Sequence, residues 1–207
     1  MRYWFVATRK DTGKVQFKAP MRTKRCRGRA SGGHRCRRKI SLSYPYCWQH
    51  TKSEEHLEVK ESKVLASIGI RGQKGLYAYA PGSTGPVFRK GEGIVRYRGE
   101  RINDRDLERR YQYKDSPHGA VMSPYAMELD RDWSIDAALL RGVAAYANSP
   151  RGTGVRPNAQ LDVDETPRKP QAWLIATKNI YHGQEILTNY GREYFKLSAL
   201  DTKVVQR

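Results

Sequence analysis

From about Leu57 onward, the apolar positions fall into short runs rather than into long helical repeats. Turns rich in Gly and Pro separate the runs, which is the pattern of short strands joined by tight connections. The predicted strands are Gly75–Tyr79, Gly93–Tyr97, Gln171–Thr177 and Glu185–Tyr190. Nearer the start of the chain, a hairpin is predicted from Tyr3–Arg9 and Lys14–Lys18, around Asp11–Gly13.

Only two segments have a helical character. Asn103 and Asp104 are both in position to cap a helix that runs to about Tyr113, and its first turn is acidic. A second helix is predicted over Ala137–Tyr146, despite Gly142. Many short strands with few helices predict a mostly β or α+β fold.

Positive charge is concentrated at the start of the chain. Of the net charge of +18 over 207 residues, residues 1–60 carry +12 and the rest carry +6. We therefore predict a basic module over 1–56, a folded domain over 57–195 and a tail over 196–207. Such a basic surface attracts polyanions, so residues 1–60 are a candidate contact for DNA or a nucleosome. The alternative is a solvated basic arm without a dedicated partner.

The composition excludes several classes of protein. No run of 18 apolar residues exists to cross a membrane, and the apolar start Met1–Val6 is too short for a signal peptide. Three cysteines, an odd number, argue against a disulfide framework and favour an intracellular, reducing compartment. There is no Walker loop, and no Gly-x-Gly-x-x-Gly opens a helix. The acidic cluster Asp162–Glu165 is interpreted as a solvated loop.

All three cysteines lie close in sequence to one histidine. Cys26, Cys36, Cys47 and His50 are the four ligands that a closed tetrahedral zinc site needs. Such a site would hold together a segment with too few apolar residues to fold alone. His34 is a competing ligand, and three unrelated free cysteines are the remaining alternative. The spacing resembles the plant WRC zinc motif over about 25 residues.

Four segments of the remaining chain resemble, in order, the motifs of SET-domain protein lysine methyltransferases. They span about 135 residues at compatible spacing. The segments are Gly72–Ala78, which is similar to the family's opening Gly-x-Gly turn and strand; Gly91–Glu100, with Tyr-x-Gly-Glu; Asp136–Ser149 followed by Pro157-Asn158, similar to Asn-His-Ser and Pro-Asn; and the closing Trp173–Gly191. Each is weak alone, but the four together are specific.

The chain also departs from the family's pattern. Ser149 stands where the family has His, Asn189 where it has Asp, and Ala145 where it has Arg. An insertion, Pro150–Arg156, interrupts the third motif. The tail Arg192–Arg207 has no cysteine, so the family's cysteine-rich closing segment is absent, as in compact viral members.

The resemblance implies small curved sheets in which the Asn148 segment passes under the closing segment in a knot-like crossing. It implies S-adenosylmethionine as the methyl donor. The donor pocket and the lysine pocket would lie on opposite faces, connected by a narrow channel. Tyr190 matches the family's catalytic tyrosine, and Tyr97 matches a second tyrosine of the channel. Further channel candidates are Tyr146, Thr188 and Tyr194. The small Thr188 leaves room for more than one methyl group, and each tyrosine is alternatively a core residue.

The resemblance also assigns residues to the donor. These are Lys74, Gly75, Tyr125, Asn148 and Ser149. Gly75 would let the backbone approach the amino-acid end of S-adenosylmethionine closely. Asn148 matches the residue that hydrogen-bonds the donor.

The sequence thus predicts a lysine methyltransferase with a basic zinc module. The expected substrate is a histone tail or another basic protein, with a ribosomal protein as an alternative. An adaptor that binds nucleic acid or protein, and whose SET-like domain has lost catalysis, is the alternative from another class; Ser149 favours it. The expected location is intracellular, in the nucleus or in the viral factory or virion of an infected cell. A homodimer is among the options for the oligomeric state.

Overall fold

The computed structural model describes residues 7–9, 15–17, 23–41, 44–111, 125–138, 140–166 and 168–190. Within these ranges the chain forms thirteen short strands and three α-helices. The strands are β1 Ala7–Arg9, β2 Val15–Phe17, β3 Thr23–Arg25, β4 Lys39–Ser41, β5 Leu57–Glu61, β6 Lys74–Ala78, β7 Gly93–Arg96, β8 Glu100–Asn103, β9 Ala126–Glu128, β10 Trp133–Asp136, β11 Ala159–Asp164, β12 Gln171–Ala176 and β13 Glu185–Ile186. The helices are α1 Trp48–Glu55, α2 Lys63–Ala66 and α3 Asp104–Tyr111. None of these described helices is long and apolar enough to cross a membrane.

The described strands pair into five small sheets. Two are hairpins, β1-β2 and β3-β4, and three have three strands each, in the orders β8-β10-β9, β11-β12-β7 and β13-β6-β5. All the pairings between these strands are antiparallel. The predicted mostly-β fold class of small sheets is confirmed, and the β1-β2 pair lies within the predicted first hairpin.

The main core lies between the three-stranded sheets. In β12, buried residues alternate with half-buried ones, because successive side chains of a strand point to opposite faces. Leu174 is fully buried at its centre, where β12 pairs with both β11 and β7. Leu57, Leu76, Ile180 and Ile186 are also fully buried in this core. Burial of each such side chain stabilises the fold by about 2 kcal/mol.

The module at the start of the chain is built differently. Its second cluster of buried residues consists of the three cysteines alone, with Ile40 and Tyr46 packed against them. Helix α1 connects it to the main core through Tyr44, whose hydroxyl donates to Glu55 at 2.9 Å, and through a 2.5 Å ion pair between Lys52 and Glu58. The module boundary at residue 56, like the boundary at 195, remains a prediction.

One predicted helix is confirmed and the other is wrong. Helix α3 begins as expected, because the Asn103 side chain accepts a hydrogen bond from the Asp106 N–H at 2.8 Å. Over Ala137–Tyr146 only the last four residues form a 3-10 turn. Gly142 is extended there, with φ −88° and ψ 170°, and its N–H donates to the Arg98 carbonyl at 3.1 Å. This contact with a neighbouring segment overrides the helical pattern of the alanines.

Two further expectations need correction. The strand predicted over Glu185–Tyr190 stops at Ile186, because Leu187 forms a parallel bridge with Asn148 and leaves the sheet. The acidic cluster at 162–165 is not a loop, since Asp162 and Asp164 lie on β11; their side chains are exposed, as expected of solvated groups.

Candidate active site and metal cluster

Two segments of the chain cross where the sequence predicted the knot. The Thr188 N–H donates to the Asn148 carbonyl at 2.9 Å, alongside the parallel bridge between Asn148 and Leu187. The Asn158 side chain fastens the crossing from the other side: it donates to the Glu185 carbonyl at 2.9 Å and accepts from the Leu187 N–H at 2.8 Å. These bonds fix the closing segment just before Tyr190.

Tyr190 and Tyr97 lie near each other at this crossing. The Tyr190 hydroxyl donates to the Ala147 carbonyl at 2.9 Å, and the Tyr97 hydroxyl donates to the Tyr125 carbonyl at 2.9 Å. Tyr97 is 6% exposed. Burial raises its pKa well above the ordinary value, and the nearby Tyr190 raises this pKa further. Tyr97 therefore stays a protonated hydrogen-bond donor at neutral pH.

Arg141 is a residue of this site that the sequence reasoning missed. Its guanidinium carbon lies 3.9 Å from the centre of the Tyr125 ring and 5.7 Å from that of Tyr146. Its Nε donates weakly to the Ala137 carbonyl at 3.4 Å. The only signal in the sequence was a charged residue within the otherwise apolar run Ala137–Tyr146.

Glu185 is a buried carboxylate held by uncharged groups. Its oxygens accept from Ser62 Oγ at 2.5 Å and from the Val64 N–H at 3.1 Å, and the Tyr77 hydroxyl lies 2.9 Å away. The residue is 8% exposed. Burial, together with the neighbouring carboxylate, raises the pKa of Tyr77 to about 12. Glu185 joins α2, β6 and β13 at one point.

The residues assigned to the donor lie beside this carboxylate. Asn148 Nδ2 donates to the Lys74 carbonyl at 2.9 Å and lies 3.5 Å from Glu185 Oε1. A side chain at Gly75 would collide with Glu185, so this glycine is required by the packing of a carboxylate. Ser149 is buried. Among the described contacts Asn148 Oδ1 has no partner, so this oxygen is available to accept a hydrogen bond from a ligand.

The channel candidates have different environments. Thr188 is 1% exposed, and its hydroxyl finds no hydrogen-bond partner in the described part of the chain. Buried hydroxyls are normally paired, so an unpaired one points to a missing ligand or water. Tyr146 and Tyr125 are half-buried under Arg141. Tyr194 lies outside the described residues.

The four predicted metal ligands converge in the first module. One ligand atom from each of Cys26, Cys36, Cys47 and His50 lies within 4.8 Å of the others. His50 Nδ1 is 3.5 Å from Cys26 Sγ and 3.2 Å from Cys47 Sγ. Tetrahedral zinc would separate sulfur and nitrogen ligands by ~3.6 Å, so this cluster could hold that ion. The competing His34 is exposed and is not part of the cluster.

Hydrogen bonds with neighbouring groups orient the His50 ring and stabilise the thiolate forms of Cys26 and Cys47. His50 Nε2 lies 2.6 Å from the Arg29 carbonyl, which fixes the tautomer and leaves Nδ1 free to ligate. Backbone N–H groups of Cys47 and Gly28 donate to Cys26 Sγ at 3.2 and 3.4 Å. Burial would raise the pKa of Cys47, but hydrogen bonds from His50 and Arg38 outweigh it and lower this pKa to about 6.

Residues 86–191 match the model of the SET domain. The chain is 29% identical over 156 residues to histone-lysine N-methyltransferase trr of Drosophila melanogaster, covering 73% of this chain and 6% of that protein. It is 24% identical over 168 residues to N-lysine methyltransferase KMT5A-A of Danio rerio, covering 74% of this chain and 46% of that protein. The chain thus spans less than half the length of either relative.

Solved structures share the fold. The autoinhibited ctPRC2 complex bound to S-adenosylmethionine superposes with a TM-score of 0.50 at 22% identity, covering 74% of this chain and 17% of that chain. The Chaetomium thermophilum Polycomb Repressive Complex 2 bound to GSK126 gives a TM-score of 0.50 at 21% identity, with coverages of 73% and 17%. At this identity the likeness concerns the fold alone.

Proposed function

This chain belongs to the SET-domain family, and from that membership we propose that it is an S-adenosylmethionine-dependent protein lysine N-methyltransferase. The observation that carries the proposal is the position of Tyr190 and Thr188 at the crossing of the two segments, with Tyr97 near Tyr190. Two phenols and a buried hydroxyl suit the stem and amine of a lysine.

The amine must be neutral before it can accept a methyl group. A lysine amine has an ordinary pKa of ~10.4, and both desolvation and a nearby positive charge lower it. Tyr97 is buried, and the Arg141 guanidinium lies on the Tyr125 ring beside it. We assign to Arg141 the role of keeping the incoming amine deprotonated, while the Tyr190 hydroxyl orients its lone pair.

The donor side is assigned to the groups around Asn148. S-adenosylmethionine, when bound, supplies a methyl group on a sulfonium centre. Asn148 Oδ1 and the exposed backbone at Lys74 accept from its ammonium group, and Ser149 adds backbone contacts. Asn148 is held in place by the Lys74 carbonyl and by Glu185, so the site is organised before the donor arrives.

The substrate and the location follow as parts of the same proposal. A basic protein, with a histone tail as the first choice, would bring the target lysine, and a nuclear location would accompany it. The net charge of +18 repels an isolated basic tail. We therefore assign residues 1–60 to nucleic acid, so that the enzyme meets its substrate on a nucleosome. Cys26, Cys36, Cys47 and His50 bind zinc in this proposal and keep the module folded.

A catalytically inactive adaptor is the second candidate function. The specific observation in its favour is Ser149 in place of the family's histidine, together with the insertion Pro150–Arg156 beside the donor residues. Binding of the donor separates the two candidates, since an adaptor has no need of it.

Calorimetric titration of S-adenosylmethionine into the zinc-loaded chain tests the proposal. We expect micromolar affinity, retained in Tyr190→Phe, while transfer of a radiolabelled methyl group to histones falls by about 10²-fold in that variant. The matched control is Tyr181→Phe, at an exposed tyrosine, which should leave both measurements unchanged. A folded chain that gives no heat with the donor would establish the adaptor instead.

Thr188→Phe tests the assignment of the channel. A phenyl ring fills the space beside Tyr190, so the product should change from multiply to singly methylated lysine. Mass spectrometry of a methylated peptide measures this directly. An unchanged product distribution would place Thr188 away from the reacting amine.

A further inference from the structure

A basic cavity lies beside the strand that ends before Tyr97. Its volume is about 190 Å³, and the charged residues that line it are Arg96, Arg98, Arg101 and Lys169. No carboxylate lines it. Arg96 and Arg98 flank Tyr97 in an extended segment, and Tyr97 also lines the cavity.

The positive charge in this cavity is only partly compensated. Arg101 pairs with Asp130 at 3.2 Å. Burial raises the pKa of Glu55 and the charge of Arg98 opposes that rise, whereas Arg96 and Lys169 form no ion pair with any described residue. The Nε of Arg98 is buried without a hydrogen-bond partner in the described part of the chain. Burial and the adjacent Arg98 charge lower the pKa of Arg96. Unpaired donors and crowded like charges in a cavity are the features of an anion site without its anion.

Charges of the cavity act on the basic module. The pKa of Lys24 on strand β3 is lowered by burial and by the charges of Arg27 and Arg98. Arg27 is exposed. Lys24 and Arg27 are thus the cations of the module that lie within electrostatic reach of Arg98.

We propose that this cavity binds a phosphate group of a nucleic-acid backbone, which then continues across the cations of the first module. Guanidinium groups bind phosphate oxygens with two parallel hydrogen bonds, and Arg96, Arg98 and Arg101 bring three such groups to this cavity. A chain of phosphates fits better than a single anion, because the cations extend past the cavity to Arg27. This inference rests on the proposed nucleic-acid contact of residues 1–60, extends it onto the SET domain, and is independent of methyl transfer.

Binding of single- and double-stranded DNA by the full zinc-loaded chain, measured by fluorescence anisotropy over a range of salt, tests the inference. Replacing both arginines, Arg96→Gln with Arg98→Gln, should weaken binding about tenfold. The slope of log affinity against log salt should fall by about two, one for each phosphate contact removed.

The matched control removes two cations at the other end of the same sheet, as Arg89→Gln with Lys178→Gln. The antiparallel register pairs Ile175 with Gly93 and Trp173 with Arg96, so these two residues lie beyond the far end of β7. The control should lose little affinity. Equal losses in both double variants would overturn the inference, because net charge alone would then explain binding.

Lys169→Gln provides an exposed variant that cannot disturb folding. It should lower DNA affinity about threefold and the salt slope by about one. Full DNA affinity in both Lys169→Gln and the double-arginine variant, with binding of inorganic phosphate or a phosphopeptide lost instead, would overturn the nucleic-acid assignment. Calorimetry with S-adenosylmethionine on the same proteins distinguishes the proposed phosphate site from the proposed methyltransferase activity, since it measures donor binding alone.

Discussion

The first module and the SET domain place their buried groups in opposite ways. In the module, the buried cluster is three cysteines beside His50, and few apolar side chains support it. In the domain, a continuous core of aliphatic residues surrounds Leu174, and the polar centre is the carboxylate of Glu185. The stability of the module depends on the four candidate metal ligands. The stability of the domain depends on buried apolar side chains, and its buried carboxylate already has hydrogen-bond donors.

The difference explains how so basic a segment can fold. Several arginines of the module bond to backbone carbonyls: Arg25 to Cys36 at 2.9 Å and Arg35 to Cys26 at 3.1 Å. These bonds brace the loops without burying apolar surface. They contribute about 1 kcal/mol each, which cannot replace a core. We therefore expect the module to respond to removal of the proposed zinc ion, and the domain to truncation of a buried aliphatic side chain.

Removal of zinc should produce the largest effect. Structural zinc contributes about 10–16 kcal/mol to small domains, so a chelator should abolish amide protection over residues 23–50. The sheets from β5 to β13 should keep theirs, because the aliphatic residues of their core come from the domain itself. Hydrogen exchange measured by mass spectrometry reports both regions at once.

A pair of histidine variants provides the control for that experiment. His50→Ala should reproduce the effect of the chelator, whereas His34→Ala should not, because His34 is exposed and outside the cluster. Loss of protection in the whole chain at the same chelator concentration would contradict the separation of the two regions.

The next largest effect is expected from Leu174→Ala. This side chain is 0% exposed at the centre of β12, and truncations of this kind cost about 2–5 kcal/mol. Urea unfolding followed by circular dichroism should give a lower midpoint with zinc stoichiometry unchanged. The matched control Leu161→Ala, half-buried on the adjacent β11, should cost clearly less. Equal costs would mean that the core is not centred on β12.

These two regions were also predictable to different degrees. The ligand set could be predicted, because all the cysteines gather near one His and a metal constrains spacing. The end of the β13 strand and the path from Ala137 to Tyr146 could not. There, Leu187 leaves the sheet for Asn148, and Gly142 contacts Arg98, and both choices depend on segments far away in sequence. Local propensity has no information about such crossings.

In the candidate site, too, local motifs could be predicted from the sequence, whereas contacts between distant segments could not. Tyr97 and Tyr190 were found because they occupy motif positions, whereas Arg141 lies outside any motif and is brought to Tyr125 by the turn after β10. Asn103 was assigned correctly because a cap is a local interaction of a side chain with its own helix. The approach of Gly75 to the donor stays a prediction, and the structure adds a second reason for this glycine, since a side chain there would meet Glu185, 110 residues later.

Glu185→Gln should have an intermediate effect on the domain. The carboxylate accepts from Ser62 at one oxygen and from Val64 at the other, so the NH₂ of a Gln side chain would face one of these two donors. We expect a loss of about 2 kcal/mol in unfolding free energy and weaker donor binding, because Asn148 lies beside this carboxylate. Urea unfolding and calorimetry measure the two effects.

Glu165→Gln, at an exposed glutamate after β11, is the matched control for that change and should be neutral. If Glu185→Gln were as stable as the unaltered chain, the polar centre of the domain would be replaceable. The contrast with the metal cluster would then be lost.

The smallest effect concerns the contact between the two regions. Partial burial of Glu58 opposes its ionisation, but hydrogen bonds from Lys52 and Lys60 outweigh it and lower the pKa of Glu58 below its ordinary value of 4.5. A lowered carboxyl pKa adds stability that is present above pH 4.5 and is lost as the pH falls through the lowered pKa. Glu58→Gln should therefore cost about 0.5–1 kcal/mol at pH 6, and this cost should shrink as the pH falls through the lowered pKa.

Measuring the stability cost of Glu58→Gln with and without zinc tests whether the metal cluster fixes the contact between the module and the domain. Lys52 lies on α1, which begins directly after the ligand Cys47 and contains the ligand His50, whereas Glu58 lies on β5 of the domain. Without the metal, α1 should lose its fixed position, and the cost of Glu58→Gln at pH 6 should disappear. Glu128→Gln, at an exposed glutamate on β9, should show no dependence on zinc. A Glu58 effect that persists in the chelated protein would mean that α1 is held by the domain core through Tyr44 rather than by the metal.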